Sequence, residues 1–419
     1  MKRCIGWRSG GHALLVILVF CSSRVTAATE PTGVSSPIHF MDVAPQATFD
    51  YISNNDFRGR KYFPQPMCGG IAILDADGDG RQDIYFTNGA ALPSLQKTDR
   101  SFYSCLLRNM GEGLFEDVTG DAGLEGQQMD FSFGAAAGDF DNDGDTDLFV
   151  CNAGPNVLYE NNGDGTFVDV TGGSGLDEKP EDLLSVAAAW FDYDSDGRPD
   201  LIVSQYTYWN PSTDEQCTSA DGTEFYCSPQ TVVSVPHNLY RNLGDGRFED
   251  VTERSGFDQV RGKGMGIGIA DFDRNGHQDV FVANDTEPNF LYLNAGDGTF
   301  EEAALYYLIA FNDLGARVSA MGADVKDYDN DGWVDVFYNN LQNQTHALFR
   351  NAGGEYFDYM SPTTNVAAAS NDYSGWSTGF IDYDNDGWKD IYSANGDVDY
   401  LGENAAQHDT ILRNLAGQA

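Results

Sequence analysis

The chain has 419 residues, and its 65 Asp and Glu against 24 Lys and Arg give a formal net charge of −41. So acidic a balance argues against nucleic acid or an anionic membrane as a partner. Beyond the N-terminus no apolar run approaches the ~20 residues of a membrane-spanning helix, which excludes a helical span in the mature chain.

In chain order, Lys2, Arg3 and Arg8 precede an apolar run from Ala13 to Phe20, followed by small residues around Val25, Ala27 and Ala28. This is the pattern of a secretory signal peptide over residues 1–27, cut after Ala27 or Ala28. Cys21 invites a lipid anchor, but Phe20 occupies the place where a small residue is expected. Residues 28–37 read as a short linker and 38–419 as one domain. The mature chain is therefore expected outside the cytoplasm, either secreted or in the periplasm or at a cell surface.

Six near-identical nonapeptides follow: DADGDGRQD from Asp75, DFDNDGDTD from Asp139, DYDSDGRPD from Asp192, DFDRNGHQD from Asp271, DYDNDGWVD from Asp327 and DYDNDGWKD from Asp382. Positions 1, 3, 5 and 9 carry oxygen side chains. They are Asp75, Asp77, Asp79 and Asp83; Asp139, Asp141, Asp143 and Asp147; Asp192, Asp194, Asp196 and Asp200; Asp271, Asp273, Asn275 and Asp279; Asp327, Asp329, Asp331 and Asp335; and Asp382, Asp384, Asp386 and Asp390. Position 6 is always glycine, which permits the sharp turn that brings position 9 back to the others. Such oxygen clusters suit a hard cation, with the carbonyl of position 7 as a further ligand, so about six Ca2+ ions are expected. Asn275 removes one charge and is expected to weaken the fourth site.

These loops are not EF-hands. Position 12 is Phe86, Val150, Val203, Val282, Tyr338 or Ser393 rather than the required Glu. The flanks read as strands: GIAIL or GIGIA before a loop, DIYF, DLFV or DVFV after it. A second pattern follows each loop, as NMGEGLFEDVT from Asn109, NNGDGTFVDVT from Asn161 and NLGDGRFEDVT from Asn242, with weaker copies from Asn294 and Asn351. Its Gly-rich centre is hairpin chemistry. Each unit is thus strand, acidic loop, strand, connection, strand, Gly turn, strand.

Four antiparallel strands repeating every 53 to 79 residues predict an all-β fold, a β-propeller of four-stranded blades with the calcium loops between strands 1 and 2. Six repeats are visible. Phe40, Met41, Asp42 and Val43 read like the last strand of a repeat, and the chain stops at Ala419 before the final blade is complete. An N-terminal strand completing that blade would close the ring.

The GAxxxDFDxDG and NxGDGTFxDVT units resemble FG-GAP, or VCBS-type, repeats of the integrin α-subunit propeller. More narrowly, FMDVA from Phe40, CGGIAILDADGDGRQDIYFTNG from Cys68 and IYSANGDVD from Ile391 resemble the cartilage acidic protein and ASPIC/UnbV family. The resemblance covers about residues 38 to 415. It implies a seven-bladed parent architecture continuing into a further C-terminal domain, of which this chain contains neither the seventh repeat nor the domain.

Of the cysteines, Cys217 and Cys227 lie ten apart in one insertion and are expected to pair. Cys68 and Cys105 could form a second bridge, leaving Cys151 as a buried thiol, although spacing does not fix connectivity. The acidic loops and Gly turns should share one face of the propeller, with the length variation of 89–104, 205–237 and 396–407 on the other. The longest insertion carries Tyr206, Tyr208, Trp209, Phe225 and Tyr226, the expected ligand surface, unless these aromatics merely cap the channel. The five histidines beyond the leader are scattered, and the GKGMGIG run from Gly262 lacks a nucleotide-loop context, small residues packing near the channel being the better reading. The expected function is a secreted, calcium-stabilised module binding an extracellular protein or glycan, more readily than an enzyme. The alternative is an extracellular, for example carbohydrate-active, enzyme on the same scaffold.

Overall fold

The computed structural model describes residue 40 and residues 51–126, 131–177, 179–398 and 406–416. The expected signal peptide and linker lie outside the described residues, as does the 40–43 strand except for Phe40, which is in no strand.

The chain folds as an all-β propeller whose units follow the sequence repeat. The first blade contains Ile71–Leu74, Asp83–Phe86, Cys105–Gly111 and Leu114–Asp117. The second contains Phe131–Gly138, Asp147–Ala153, Val157–Asn161 and Phe167–Asp169, and the third Leu183–Phe191, Asp200–Tyr208, Asn238–Gly244 and Arg247–Asp250. Gly264–Ala270, Asp279–Asn284, Phe290–Asn294 and Phe300–Glu302 make the fourth; Ala323–Lys326, Asp335–Tyr338, Ala347–Asn351 and Phe357–Tyr359 the fifth. Among the described residues the sixth has three strands, Gly375–Ile381, Asp390–Asn395 and Thr410–Leu412. Every neighbouring pair within a blade is antiparallel and sequential.

The register places each acidic loop identically. Position 9 opens the second strand and pairs with the residue just before position 1: Leu74 with Asp83, Gly138 with Asp147, Phe191 with Asp200, Ala270 with Asp279, Lys326 with Asp335 and Ile381 with Asp390. The last ligand candidate is therefore a strand residue with a fixed backbone.

The core lies between blades. Strand Asp147–Ala153 is buried along its whole length, because alternate side chains serve two different interfaces. Leu148 and Val150 pack with Leu74, Tyr85 and Leu106 of the first blade. Phe149 and Cys151 pack with Leu201, Val203, Tyr240 and Phe248 of the third. Such two-sided burial explains why second strands read as continuous apolar runs.

Glycine sets how closely the innermost strands approach. A Cβ at Gly134 would lie 2.4 Å from the Val186 carbonyl oxygen of the next blade, and one at Gly266 would lie 2.5 Å from that of Met321. The GKGMGIG run thus does what its small residues implied.

Cys217 and Cys227 form the expected disulfide. The second expected bridge is absent: Cys68, Cys105 and Cys151 are free thiols. Cys68 leads into the first strand of its blade whereas Cys105 opens the third. Two strand spacings of about 4.8 Å separate those lines, beyond the ~4.4–6.8 Å Cα separation that a disulfide spans.

Candidate functional site

The second loop shows how the acidic side chains are placed. Asp139 accepts from the backbone N–H of Asp143 through Oδ1 (3.1 Å) and of Gly144 through Oδ2 (3.0 Å), which folds the turn over position 1. Asp143 Oδ1 accepts from the N–H of Asp145 at 2.9 Å. Asp147 closes the loop, its Oδ2 accepting from Phe140 N–H (2.9 Å) and its Oδ1 from Asn161 N–H (2.8 Å) on the third strand. The other five loops repeat the position 1 and position 9 bonds. Gly144 has φ +101°, as the turn requires, and position 4 is also left-handed, filled by asparagine at Asn142, Asn330 and Asn385.

This scaffold gathers positions 1, 3 and 9. In the first five loops one carboxylate oxygen from each lies within 4.8 Å of the other two, as for Asp139, Asp141 and Asp147. Position 5 is oriented differently. Asp79, Asp143, Asp196, Asn275, Asp331 and Asp386 turn an oxygen to the backbone N–H of position 7. Asp79 and Asp196 also pair with Arg81 and Arg198 of their own loops.

Unsatisfied atoms in the donor set show what a hard dication would find there. Asp77 Oδ1, Asp194 Oδ1 and Asp384 Oδ1, all at position 3, are buried without a hydrogen-bond donor. Their partner oxygens face Arg108 and Arg241 of the third strands and Arg413, which directly follows one. Burying such an oxygen unpaired is costly, and an ion among positions 1, 3 and 9 would satisfy it. The residues present fit calcium.

Burial also pushes the position 9 carboxyls up, to about 7 for Asp147, Asp200 and Asp279 and about 8 for Asp335, with the neighbouring carboxylates adding to the rise and two backbone N–H donors opposing it. These folded-state values exceed the unfolded value of about 3.9. Each group therefore contributes stability that is complete below about pH 4 and lost as pH rises through 7 to 8. In chelator, melting temperature should rise as pH is lowered from about 8 to about 6.5; a flat or falling profile over that window contradicts the assignment. The window stops there because His237 and His346, buried with their pKa lowered to about 4, favour the unfolded state once it protonates.

A residue type whose role the sequence left unread fastens neighbouring loops together. From the second blade onward, the asparagine opening the Gly turn sends its side-chain amide in two directions. Asn242 Nδ2 donates to Pro199 O of its own loop (2.9 Å) and to Phe140 O of the preceding blade's loop (2.7 Å), while its Oδ1 accepts from Gly244 N–H (2.9 Å). Asn161 reaches Ala76, Asn294 reaches Tyr193, Asn351 reaches Phe272 and Asn414 reaches Tyr328 in the same way. In each case the acceptor is position 2, whose N–H is already held by position 9.

The opposite ends of the innermost strands surround a cavity of about 720 Å³. Gly70, Gly134, Ala187, Met265, Gly322 and Ser377 bring one strand start from each of the six blades to its wall, with Tyr226 and Trp376 as aromatic edges. Of the five expected ligand-surface aromatics, only Tyr226 lines this mouth. Tyr208 and Phe225 are exposed elsewhere on the insertion, whereas Tyr206 and Trp209 are buried with Phe63 and Phe131. The reason is that strand Asp200–Tyr208 runs to residue 208 through irregular pairing at Ser204 and Gln205. Tyr206 and Trp209 are correspondingly hydrogen-bonded to Asp285 and Asp214.

Among the described residues His237 and His346 are buried, and His346 Nε2 lies 3.3 Å from the Ser393 hydroxyl. His237 Nδ1 accepts from Gln205 N–H, and His346 Nδ1 from Asn340 N–H, as buried structural groups.

In comparison with known proteins, the model for the FG-GAP-like repeat matches residues 75–150, 139–203, 232–282, 271–338 and 327–393. The chain is 26% identical over 363 residues to Cartilage acidic protein 1 of Homo sapiens, covering 83% of this chain and 49% of that protein. It is 27% identical over 350 residues to Cartilage acidic protein 1 of Xenopus tropicalis, covering 78% and 48%. It therefore spans about half the length of the curated relatives it matches. Among solved structures, an Agrocybe aegerita lectin described as recognising non-reducing terminal N-acetylglucosamine aligns with a TM-score of 0.40 at 21% identity, over 70% of this chain and 65% of that one.

Proposed function

The chain belongs to the FG-GAP-like repeat family, and on that footing we propose that it is a secreted, calcium-stabilised binding module that takes an extracellular protein or glycan at the mouth of its channel. Calcium would be held by positions 1, 3, 5 and 9 of the six loops, with the carbonyl of position 7, and would neutralise carboxylates that otherwise repel one another. In this reading the ion is a fastener of the scaffold and does not touch the ligand.

One observation carries the division of labour. The six loops repeat the same hydrogen bonds on nearly the same residues, Asn275 being the one change among their ligand candidates, whereas the mouth also carries unlike residues such as Tyr226, Met265 and Trp376. Discrimination among ligands needs dissimilar groups around one point, and the mouth offers them. The Cys217–Cys227 disulfide suits an oxidising compartment, as does the cartilage location in the name of the curated relatives.

Arrays of glycans and extracellular proteins, probed with calcium-loaded protein, test the proposal. Capture of a ligand without chemical change to it is expected. Turnover of any arrayed glycan, abolished by one acidic substitution outside the six loops, would overturn the binding-only reading.

A further inference from the structure

Beneath the mouth lies a smaller pouch of about 70 Å³, sharing Met67, Tyr226, Met265, Trp376 and Val398 with it. Its remaining wall includes Phe63, Tyr206 and Met321, and it contains one carboxylate, Asp285. Asp285 is 9% exposed. Its Oδ2 accepts from the Tyr206 hydroxyl at 2.6 Å, whereas its Oδ1 is buried with no well-formed hydrogen bond, the nearby Ser319 hydroxyl acting on the carboxylate without reaching hydrogen-bond geometry. Lys263 acts on it only through space, because its ammonium is held by Glu287 at 3.0 Å, and Glu287 is in turn paired with Arg317 at 2.8 Å. Burial raises the Asp285 carboxyl to about 6, opposed by the Tyr206 and Ser319 hydroxyls and the Lys263 charge.

We propose that this pouch receives a primary ammonium on an unbranched aliphatic stem, namely a lysine side chain of a partner polypeptide laid across the mouth. The inference rests on the reading of the mouth as the ligand face. Three observations specify the chemistry. The orphaned Oδ1 calls for a donor carrying positive charge, which a primary ammonium supplies and a quaternary one does not. Aromatic and thioether walls suit the methylenes of such a group, and the ring faces attract its cationic end. A cavity of this volume holds about five water-sized probes, matching the four methylenes and one nitrogen of a lysine side chain. An arginine side chain, with three methylenes and the four heavy atoms of its planar guanidinium, exceeds it. The chain's overall charge of −41 would draw a basic partner toward the surface in any orientation, and the pouch would fix one residue of it.

The test is calorimetric titration of the calcium-loaded full chain with n-butylammonium chloride, with Gly-Lys-Gly, and with the same peptide carrying acetylated lysine or arginine. The first two should compete for one site, and the acetylated peptide should bind about tenfold or more weakly. Asp285→Asn, which keeps an acceptor for Tyr206, should weaken both ligands about tenfold or more while the melting temperature holds. Met265→Phe, which fills the pouch and leaves the carboxylate in place, should block both. Equal binding of the acetylated or arginine peptide, or unchanged binding to Asp285→Asn, would overturn the proposal. If an arrayed protein or glycan still binds Asp285→Asn at its original affinity, the pouch assignment falls and the binding-module reading stands. If Gly-Lys-Gly binds as expected while every array stays blank, the pouch stands and that reading falls.

Discussion

Stripping divalent cations from the full chain is expected to lower its stability by about 8 kcal/mol, taking six sites and about 1.4 kcal/mol each at calcium tenfold above Kd. The physical basis is local. Each of the first five loops brings at least three carboxylates to one point, and three position 3 carboxylates keep a buried oxygen without a donor. The guanidinium groups of Arg108, Arg241 and Arg413 provide part of the counter-charge in the first, third and sixth blades. The second loop has Glu160 nearby instead, which adds to the repulsion on Asp141. Calorimetric melting with and without chelator checks the result, and the second blade should loosen first, as read by hydrogen exchange. Calcium-independent melting would remove the metal assignment and the account of the acidic charge together.

Asn242→Ala is expected to cost about 3 kcal/mol, because one buried carbonyl, Phe140 O, and one half-buried carbonyl, Pro199 O, lose their donor at once. The effect should exceed that of an ordinary turn substitution, since one of the broken bonds joins two blades. Asn109 supplies the internal control. Its side-chain amide donates to Gln82 of its own blade, at an exposed position, so Asn109→Ala should cost roughly 1 kcal/mol. Denaturant midpoints of the two variants decide the matter, and equal losses would show that the asparagine serves only its own turn.

The contrast between these two asparagines shows what was legible in the sequence. The acidic loops could be read because their whole logic lies within nine residues, down to the glycine that turns Asp147 back toward Asp139. The strands could be read because loop and Gly turn bracket them. Asn242 was visible only as the first letter of a turn, since its most informative partner, Phe140, lies 102 residues earlier. The same distance problem explains the cysteines: Cys68 and Cys105 are spaced like a pair, but the blade puts a strand between them. Tyr206 read as part of a surface insertion because the apolar pattern DLIV suggested a short strand, whereas the strand continues to Tyr208 and buries it. Asp285 carried no signal at all. It is one acidic residue among 65, and its setting is assembled from Tyr206, Met265, Met321 and Trp376, which local pattern cannot bring together.

On the proposed function the propeller has a metal-fastened end and a ligand-receiving end. An anomalous difference map from crystals of the full chain grown with terbium in place of calcium tests that division most directly. The account predicts a peak among positions 1, 3 and 9 of each acidic loop and none in the mouth or beside Asp285. Empty loops, or a metal peak at Asp285, would contradict it.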